Sequence, residues 1–459
     1  MENYYRMIER AGLNKNNHQE QGVKWCLSRE LQMQPICGVR GGFVADEMGL
    51  GKTIMIIGAM VCNVVEKTLI VVPPALIDQW AREVERSLLV KAYVFHGREA
   101  KTCSIDTLKS KNIVLTTYDT LASQLQSSSV SIIHRTKWNR VILDEGHHLR
   151  NKNTRRFIGV SALERDITWI ISGTPIQNRK EDFYNLCSIL QLPRSFYEDE
   201  DNVTTIARFF VLKRTKKEVG IFIPKLTVVD QNVEWQSEKE KELSAEIHKN
   251  LSFSNEVGES KFAMLPLVAL LRAKQACLYP KLLSKMIEND IGDEILAAGC
   301  NYSSKLDKIV EKVLENKCNS KGKLIFSQFR DEMDTLKRLL VEGGIRSIEI
   351  LDGRTVKSER NKILGEKYDV LILQMKTGSE GLNLQEHYSE IYFTSPSWNP
   401  YIEDQAIGRC HRLGQVNEVV VFKFKMTNGI EEASMTIDGY VTEVQETKRL
   451  VACSIYERI

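Results

Sequence analysis

Residues 46–53 read Asp-Glu-Met-Gly-Leu-Gly-Lys-Thr, and the second half of this stretch has the makings of a phosphate grip. In the pattern G-x-x-x-x-G-K-[ST], backbone N–H groups of a glycine-rich turn face the phosphates, the lysine reaches the outer ones and the hydroxyl meets magnesium. Gly49, Gly51, Lys52 and Thr53 supply those parts, but Asp46 stands where the pattern has its first glycine. Apolar residues on both sides give the strand, loop and helix order in which a helix N-terminus also faces the anion. A second stretch, Val-Ile-Leu-Asp-Glu-Gly-His-His-Leu, ends an apolar run with Asp144 and Glu145. Such a pair could hold a magnesium ion through Asp144 and polarise an attacking water through Glu145, because ligands collect beyond the carboxyl ends of parallel strands. Ser172–Asn178 follows another apolar run, and its hydroxyls could sense the phosphate state. Gly173 and Pro175 would equally make a plain turn there. Arg409 and Arg412 lie three residues apart and are expected to share one helix face. Two guanidinium forks presented together could approach a γ-phosphate, although an arginine pair is otherwise an ordinary solvated face.

These residues need scaffolding, and the apolar pattern supplies it. Short runs around residues 41–46, 67–74, 112–118, 140–145 and 167–174 alternate with helix-compatible stretches, which predicts a parallel sheet covered by helices. The rhythm returns in 322–329, 347–353, 369–374, 389–395 and 418–426, with helices expected over 331–342 and 355–367. Between them, residues 236–320 are rich in Lys, Glu, Leu and Ala at helical spacing. The expected fold class is therefore α/β: two lobes, each a mainly parallel sheet flanked by helices, with helical insertions between them. The expected boundaries are 1–220 for a first lobe, 221–435 for a second lobe with its insertion, and 436–459 for a C-terminal helical brace.

Composition limits the partners only loosely. The chain has 459 residues, 42% hydrophobic and 27% charged, as in a folded globular protein. A net charge of +3 neither demands nor excludes a polyanion, since a local basic groove can bind phosphates within a balanced chain. The ten cysteines form no C-x-x-C pair, which favours a reducing compartment over a disulfide scaffold or zinc site. The N-terminus lacks an apolar h-region and no run of 18 apolar residues occurs, so neither secretion nor a membrane partner is expected.

Taken together, these stretches resemble the ATPase motifs of helicase superfamily two, and in detail the Swi/Snf-type DNA-dependent ATPases, whose first motif characteristically begins with Asp-Glu-Met-Gly-Leu-Gly-Lys-Thr. By that resemblance Asp46 is a signature. Further similar segments are 18–25 (an adenine-reading segment), 69–80 and 114–121 (first-lobe DNA contacts), 210–219, 271–283, 323–330, 377–385 and 397–415. The resemblance covers residues 10 to 455 and implies two RecA-like lobes. It implies that ATP is bound through Gln19 at the adenine and through Asp46, Gly49, Gly51, Lys52 and Thr53. Magnesium would be held by Thr53 and Asp144. Lys52, Asp144 and Glu145 would be catalytic, with Arg409 and Arg412 as fingers. Pro74, Ala75, Thr116, Thr117, Tyr118, Ser327, Gln328, Lys376 and Trp398 would contact DNA. Two departures stand out: Gly146 replaces the usual alanine, a swap expected to leave the chemistry alone, and Met375, Lys376 and Ser379 interrupt a Thr-Arg-Ala-Gly-Gly run, which leaves the DNA contact at Lys376 open.

The partner implied is double-stranded DNA, gripped at its phosphates without reading bases. The run Lys-Arg-Thr-Lys-Lys at 213–217 would be either a solvated face or part of that grip. Aromatic platforms for single strands are not evident. The activities open at this stage are a monomeric double-stranded DNA translocase that remodels nucleosomes or other protein–DNA complexes, a translocase for transcription termination or repair, an RNA helicase, and an inert ATP-binding scaffold. The chain resembles compact motor-only members from large DNA viruses, with targeting partners acting in trans and a location wherever the DNA lies, nuclear or otherwise intracellular.

Overall fold

The structure is a computed structural model that describes residues 1–125, 131–173, 180–251, 266–290, 294–375, 382–428 and 435–456. It divides into two compact units, Met1–Phe222 with Lys448–Ile459, and Ile223–Thr447.

The first unit is built on a seven-stranded sheet. Its strands are β1 (Arg40–Val44), β2 (Thr68–Val72), β3 (Tyr93–Val94), β4 (Ile113–Thr117), β5 (Trp138–Asp144), β6 (Arg165–Ile171) and β7 (Val211–Leu212). They lie in the order β3-β4-β2-β5-β6-β1-β7, and every pairing is parallel. A parallel sheet needs helices on both faces, so its central strands are apolar on both sides. All five residues of β2 are buried accordingly. One face is sealed by the helices Glu2–Arg10, Asn17–Glu30 and Lys52–Cys62, with Tyr4, Met7, Val23, Met55 and Ile56 in a common core with Ile70, Trp80 and Trp169.

The second unit carries a six-stranded, all-parallel sheet. Its strands are β8 (Leu226–Val233), β9 (Gly322–Ser327), β10 (Ile348–Leu351), β11 (Val370–Gln374), β12 (Tyr388–Phe393) and β13 (Val419–Met426), in the order β10-β11-β9-β12-β13-β8. Helices from Glu238–His248 to Ser304–Glu315 follow β8, where helical spacing had predicted them, and Arg330–Glu342 and Lys357–Gly365 fall within a residue or two of expectation. The α/β class with two parallel sheets is thus the observed one.

Three strands were not anticipated. β3 and β7 have two residues each, too few to show a periodicity. β8 is an edge strand whose exposed positions alternate with half-buried ones, so Leu-Thr-Val-Val-Asp-Gln-Asn-Val lacks a continuous apolar run. Among the described residues it joins the sheet only through β13, over eight consecutive residue pairs from Leu226 opposite Val419 to Val233 opposite Met426.

Candidate active site

The sheet register sets the frame of the site. Val44 at the end of β1 lies beside Ile171 of β6, and Ile171 lies beside Asp144 of β5. With strands about 4.8 Å apart, the loop after β1 and the acids after β5 are separated by roughly two strand spacings, about 10 Å. Residues 46–53 and Asp144–Glu145 therefore emerge at one edge of the first unit's sheet, with Ser172 and Gly173 between them. Thr174–Asn178 lie outside the described residues.

The loop's shape explains its glycines. Gly49 has φ 91° and Gly51 φ 81°, both in the left-handed region that favours glycine. No positive φ is recorded at Asp46, so the position where the common pattern has its first glycine does not need one. At Gly51 a Cβ would also lie 2.3 Å from the Gln19 amide nitrogen. Gly51 caps the helix Lys52–Cys62, which puts Lys52 and half-buried Thr53 in its first turn, at the helix end whose N–H groups favour an anion. The Lys52 ammonium donates to the Asp46 carbonyl oxygen at 2.8 Å. Gln19 is buried; its Nε2 donates to the Leu50 carbonyl at 3.2 Å and its Oε1 accepts from Asn16 at 3.3 Å. His18 Nε2 meets the same Leu50 carbonyl at 3.0 Å, and burial keeps this imidazole below its ordinary pKa.

Asp46 requires a correction. It is fully buried, and both carboxylate oxygens accept from the Arg214 guanidinium, at 3.1 Å from Nε and 2.6 Å from Nη2. The side chain expected to help bind the nucleotide is engaged inside the protein. The same contact corrects the expectation for residues 213–217: Lys216 is buried and pairs with Glu47 at 3.0 Å, so Arg214 and Lys216 form neither a solvated face nor a free DNA grip.

The acids sit in a different environment. Asp144 Oδ2 accepts from the buried Trp80 indole N–H at 2.6 Å, and Oδ1 accepts from the Glu145 amide at 2.9 Å. Burial pushes the Asp144 carboxyl up to about 6, the Glu145 charge adds to that, and the Trp80 hydrogen bond and the Lys52 charge pull it back. Glu145 is held at φ 49°, a conformation a non-glycine residue adopts only when its surroundings impose it. His147 Nδ1 lies 3.2 Å from the Glu145 carboxylate and stacks on His148 at 4.7 Å between ring centres. Burial beside His147 and Arg156 depresses His148 to about 4. At Gly146 an added Cβ would fall 2.3 Å from Ile170 Cγ2, so an alanine here would require Ile170 of β6 to shift.

Magnesium is tested by the donor chemistry. Thr53 and Asp144 offer hard oxygen ligands, and a buried carboxyl raised toward neutrality is one that a cation would return to its charged form. The residues fit the ion.

Several expected DNA contacts are turned inward. Thr116, Thr117 and Tyr118 are buried. The Thr116 hydroxyl donates to the Phe95 carbonyl at 2.7 Å, Thr117 caps the helix Tyr118–Gln124 by accepting from the Thr120 amide at 3.1 Å, and the Tyr118 hydroxyl donates to the Asp144 carbonyl at 2.5 Å. These hydroxyls hold the acid strand's surroundings and are not presented to a partner. In the second unit Ser327 is buried and the Gln328 amide donates to Glu332 at 3.1 Å, which removes that amide as a phosphate ligand. Pro74 and Ala75 are exposed, on the turn after β2. Trp398 is half-buried, with the Lys274 ammonium 5.2 Å from its ring centre. Lys376 lies outside the described residues.

Arg409 and Arg412 belong to the second unit, and their expected helical spacing is also corrected. The helix Pro400–Ile407 ends before them, and both occupy the turn that follows, closed by Gly408 donating to Asp404 at 2.9 Å and Cys410 to Ile407 at 3.0 Å. Arg409 is buried, and Arg412 donates to the Asn383 side chain. Trp80 and Arg214 are the residues that sequence reasoning did not assign. Each sits within a segment already singled out, yet nothing local marks its acidic partner.

Residues 18–282 match the SNF2-related domain family, and residues 304–414 match the helicase conserved C-terminal domain. Among similar proteins, the "Probable global transactivator" of Orgyia pseudotsugata multicapsid polyhedrosis virus is 29% identical, over 97% of this chain and 92% of its own length. An "Uncharacterized ATP-dependent helicase" of Mycoplasma pneumoniae is 28% identical over 96% of this chain but 42% of its own length, so the chain spans less than half of that relative. A solved Sulfolobus solfataricus SWI2/SNF2 ATPase core in complex with dsDNA aligns with a TM-score of 0.41 and 22% identity, covering 97% of each chain.

Proposed function

The chain belongs to the SNF2-related ATPases, and on that premise we propose that it is a DNA-stimulated motor that tracks double-stranded DNA and displaces proteins bound to it, without separating the strands. The observation that carries the proposal is the pairing of a glycine-shaped loop after β1 with two acids after β5, two strands away in one parallel sheet.

In this proposal the N–H groups of the helix Lys52–Cys62 and the Lys52 ammonium hold the β- and γ-phosphates of ATP, with Lys52 leaving the Asp46 carbonyl to do so. Gln19 meets the adenine. Thr53 and Asp144 hold magnesium, which when bound neutralises the phosphate charge and orients the γ-phosphate. Glu145, whose carboxylate lies 3.2 Å from His147 Nδ1, takes the proton of the attacking water. Arg409 and Arg412 supply positive charge to the transition state, a contribution on the order of a thousandfold in rate for such fingers. DNA is gripped from Ala75, Lys376 and Trp398, through phosphates and not bases.

A second task for the same motor, in transcription, is favoured by the printed name of the viral relative, a "Probable global transactivator" that this chain matches over nearly its whole length. The proposal is tested by ATP hydrolysis with duplex DNA, single-stranded DNA and RNA added in turn, in the natural chain and in Glu145→Gln. Duplex DNA should stimulate most, and the variant should bind ATP but not turn it over. Indifference to duplex, or stimulated hydrolysis retained in Glu145→Gln, would refute it. Comparing nucleosomes with a stalled polymerase on the same duplex separates the two tasks.

A further inference from the structure

The phosphate loop is held from the far end of the first unit's sequence. Past β7, the Ala45 amide donates to the Leu212 carbonyl at 2.7 Å and the Glu47 amide to the Arg214 carbonyl at 2.9 Å, so residues 212–214 run on as a strand-like partner of the loop's first residues. The side chains repeat the connection. Arg214 grips both oxygens of Asp46, and its third nitrogen donates to the His18 carbonyl at 2.7 Å. One residue pair further on, the Lys216 amide donates to Glu47 at 2.8 Å and its ammonium pairs with the same carboxylate at 3.0 Å.

This geometry is specific to an arginine facing an aspartate. Asp46 has no solvent access, and a buried carboxylate left without a partner is costly, so the pair holds together or the loop rearranges. A planar fork satisfies both oxygens in one orientation, which a lysine cannot do. Space for the fork is provided by Gly22 in the helix Asn17–Glu30: a Cβ there would lie 3.1 Å from Arg214 Nη2 and 2.3 Å from Met55 Sδ. Asp46 in turn places the carbonyl on which the Lys52 ammonium rests at 2.8 Å. Arg214 therefore orients three parts at once: the stretch bearing Gln19, the entry to the loop, and through Asp46 the resting position of Lys52.

We infer that Arg214 is a positioning residue of the nucleotide site, setting affinity for a nucleoside triphosphate by holding the phosphate loop in its binding shape through Asp46. Preorganisation of this kind appears in affinity because the loop need not be ordered when the ligand arrives. The inference rests on the loop being the ATP site.

The test measures binding of a fluorescent, non-hydrolysable ATP analogue with magnesium to the full chain, together with ATP KM, kcat and melting temperature. The variants are Arg214→Lys, Arg214→Gln, Asp46→Asn, the double variant Asp46→Asn/Arg214→Gln, and Lys52→Ala in a separate arm. Arg214→Lys should fold normally and weaken binding by roughly tenfold, the loss of one charge-assisted bond, with KM rising by a similar factor and kcat falling much less. The double variant, which leaves no unpaired charge, should bind no more weakly than the weaker single variant. Losses that multiply in the double variant, or a melting temperature that falls while affinity holds, would overturn the inference. If Lys52→Ala leaves affinity unchanged, the site assignment itself fails. If Lys52→Ala weakens binding but the Arg214 variants do not, only this inference fails.

Discussion

Replacing Trp80 by phenylalanine probes the acid strand most directly. The ring stays apolar in a fully buried place, but the indole N–H that meets Asp144 Oδ2 at 2.6 Å is lost. A hydrogen bond to a charged group contributes about 1.5–3 kcal/mol, and 1.36 kcal/mol corresponds to one pKa unit, so the Asp144 carboxyl should rise by about 1–2 units. From a starting value of about 6 it would then titrate near neutrality or above. Two measurements follow. In steady-state ATP hydrolysis across the pH range at low magnesium, the acid limb should move to higher pH by about one unit or more, because a protonated carboxyl cannot hold the cation. In denaturant unfolding, the sign follows from the raised pKa. Between the ordinary value of 3.8 and about 6 the folded state holds this proton and the unfolded state does not, so Asp144 makes stability fall as pH rises through that window, by about 3 kcal/mol in total. In Trp80→Phe the window should extend upward by the same one to two units, with a correspondingly larger loss between pH 5 and 8. If the acid limbs of the two proteins superimpose, and their stabilities differ by a constant amount at every pH, the indole does not tune Asp144.

Two other perturbations have definite outcomes. Gly146→Ala should lower stability by about 1–3 kcal/mol through the collision with Ile170, and in thermal melts the loss in Gly146→Ala/Ile170→Ala should be smaller than the sum of the two single losses; additive losses would show that the collision is not the cause. Glu30→Gln should cost about 3–5 kcal/mol in urea unfolding, because it removes the charge that pairs with buried Arg140 and turns one of the two oxygens now accepting from Arg140, at 2.7 and 2.6 Å, into a donor amide. A cost under about 1 kcal/mol would mean the pair is effectively solvated.

Much of the fold was legible because a buried parallel strand is written in consecutive residues. Val-Ile-Leu before Asp144 and Leu-Ile-Val-Val before Pro73 are apolar on both faces because helices cover both faces, and no distant partner has to be known to see them. The left-handed turns at Gly49 and Gly51, and the emergence of Asp144 and Glu145 at a strand end, are likewise local. β3, β7 and β8 were not legible: two are too short to carry a period, and the third is an edge whose membership depends on β13 lying 193 residues downstream, as Leu226 opposite Val419 shows.

By itself, then, the sequence determined the two parallel sheets, the loop and the acids at the carboxyl ends of their strands, since each follows from residues adjacent in the chain. Tertiary structure decided the partners. Trp80 reaches Asp144 across 64 positions and Arg214 reaches Asp46 across 168, each meeting a carboxylate that burial has taken from water. The same burial turned Thr116, Thr117 and Tyr118 inward, because the need to satisfy a buried polar group acts through space and leaves no trace in local spacing.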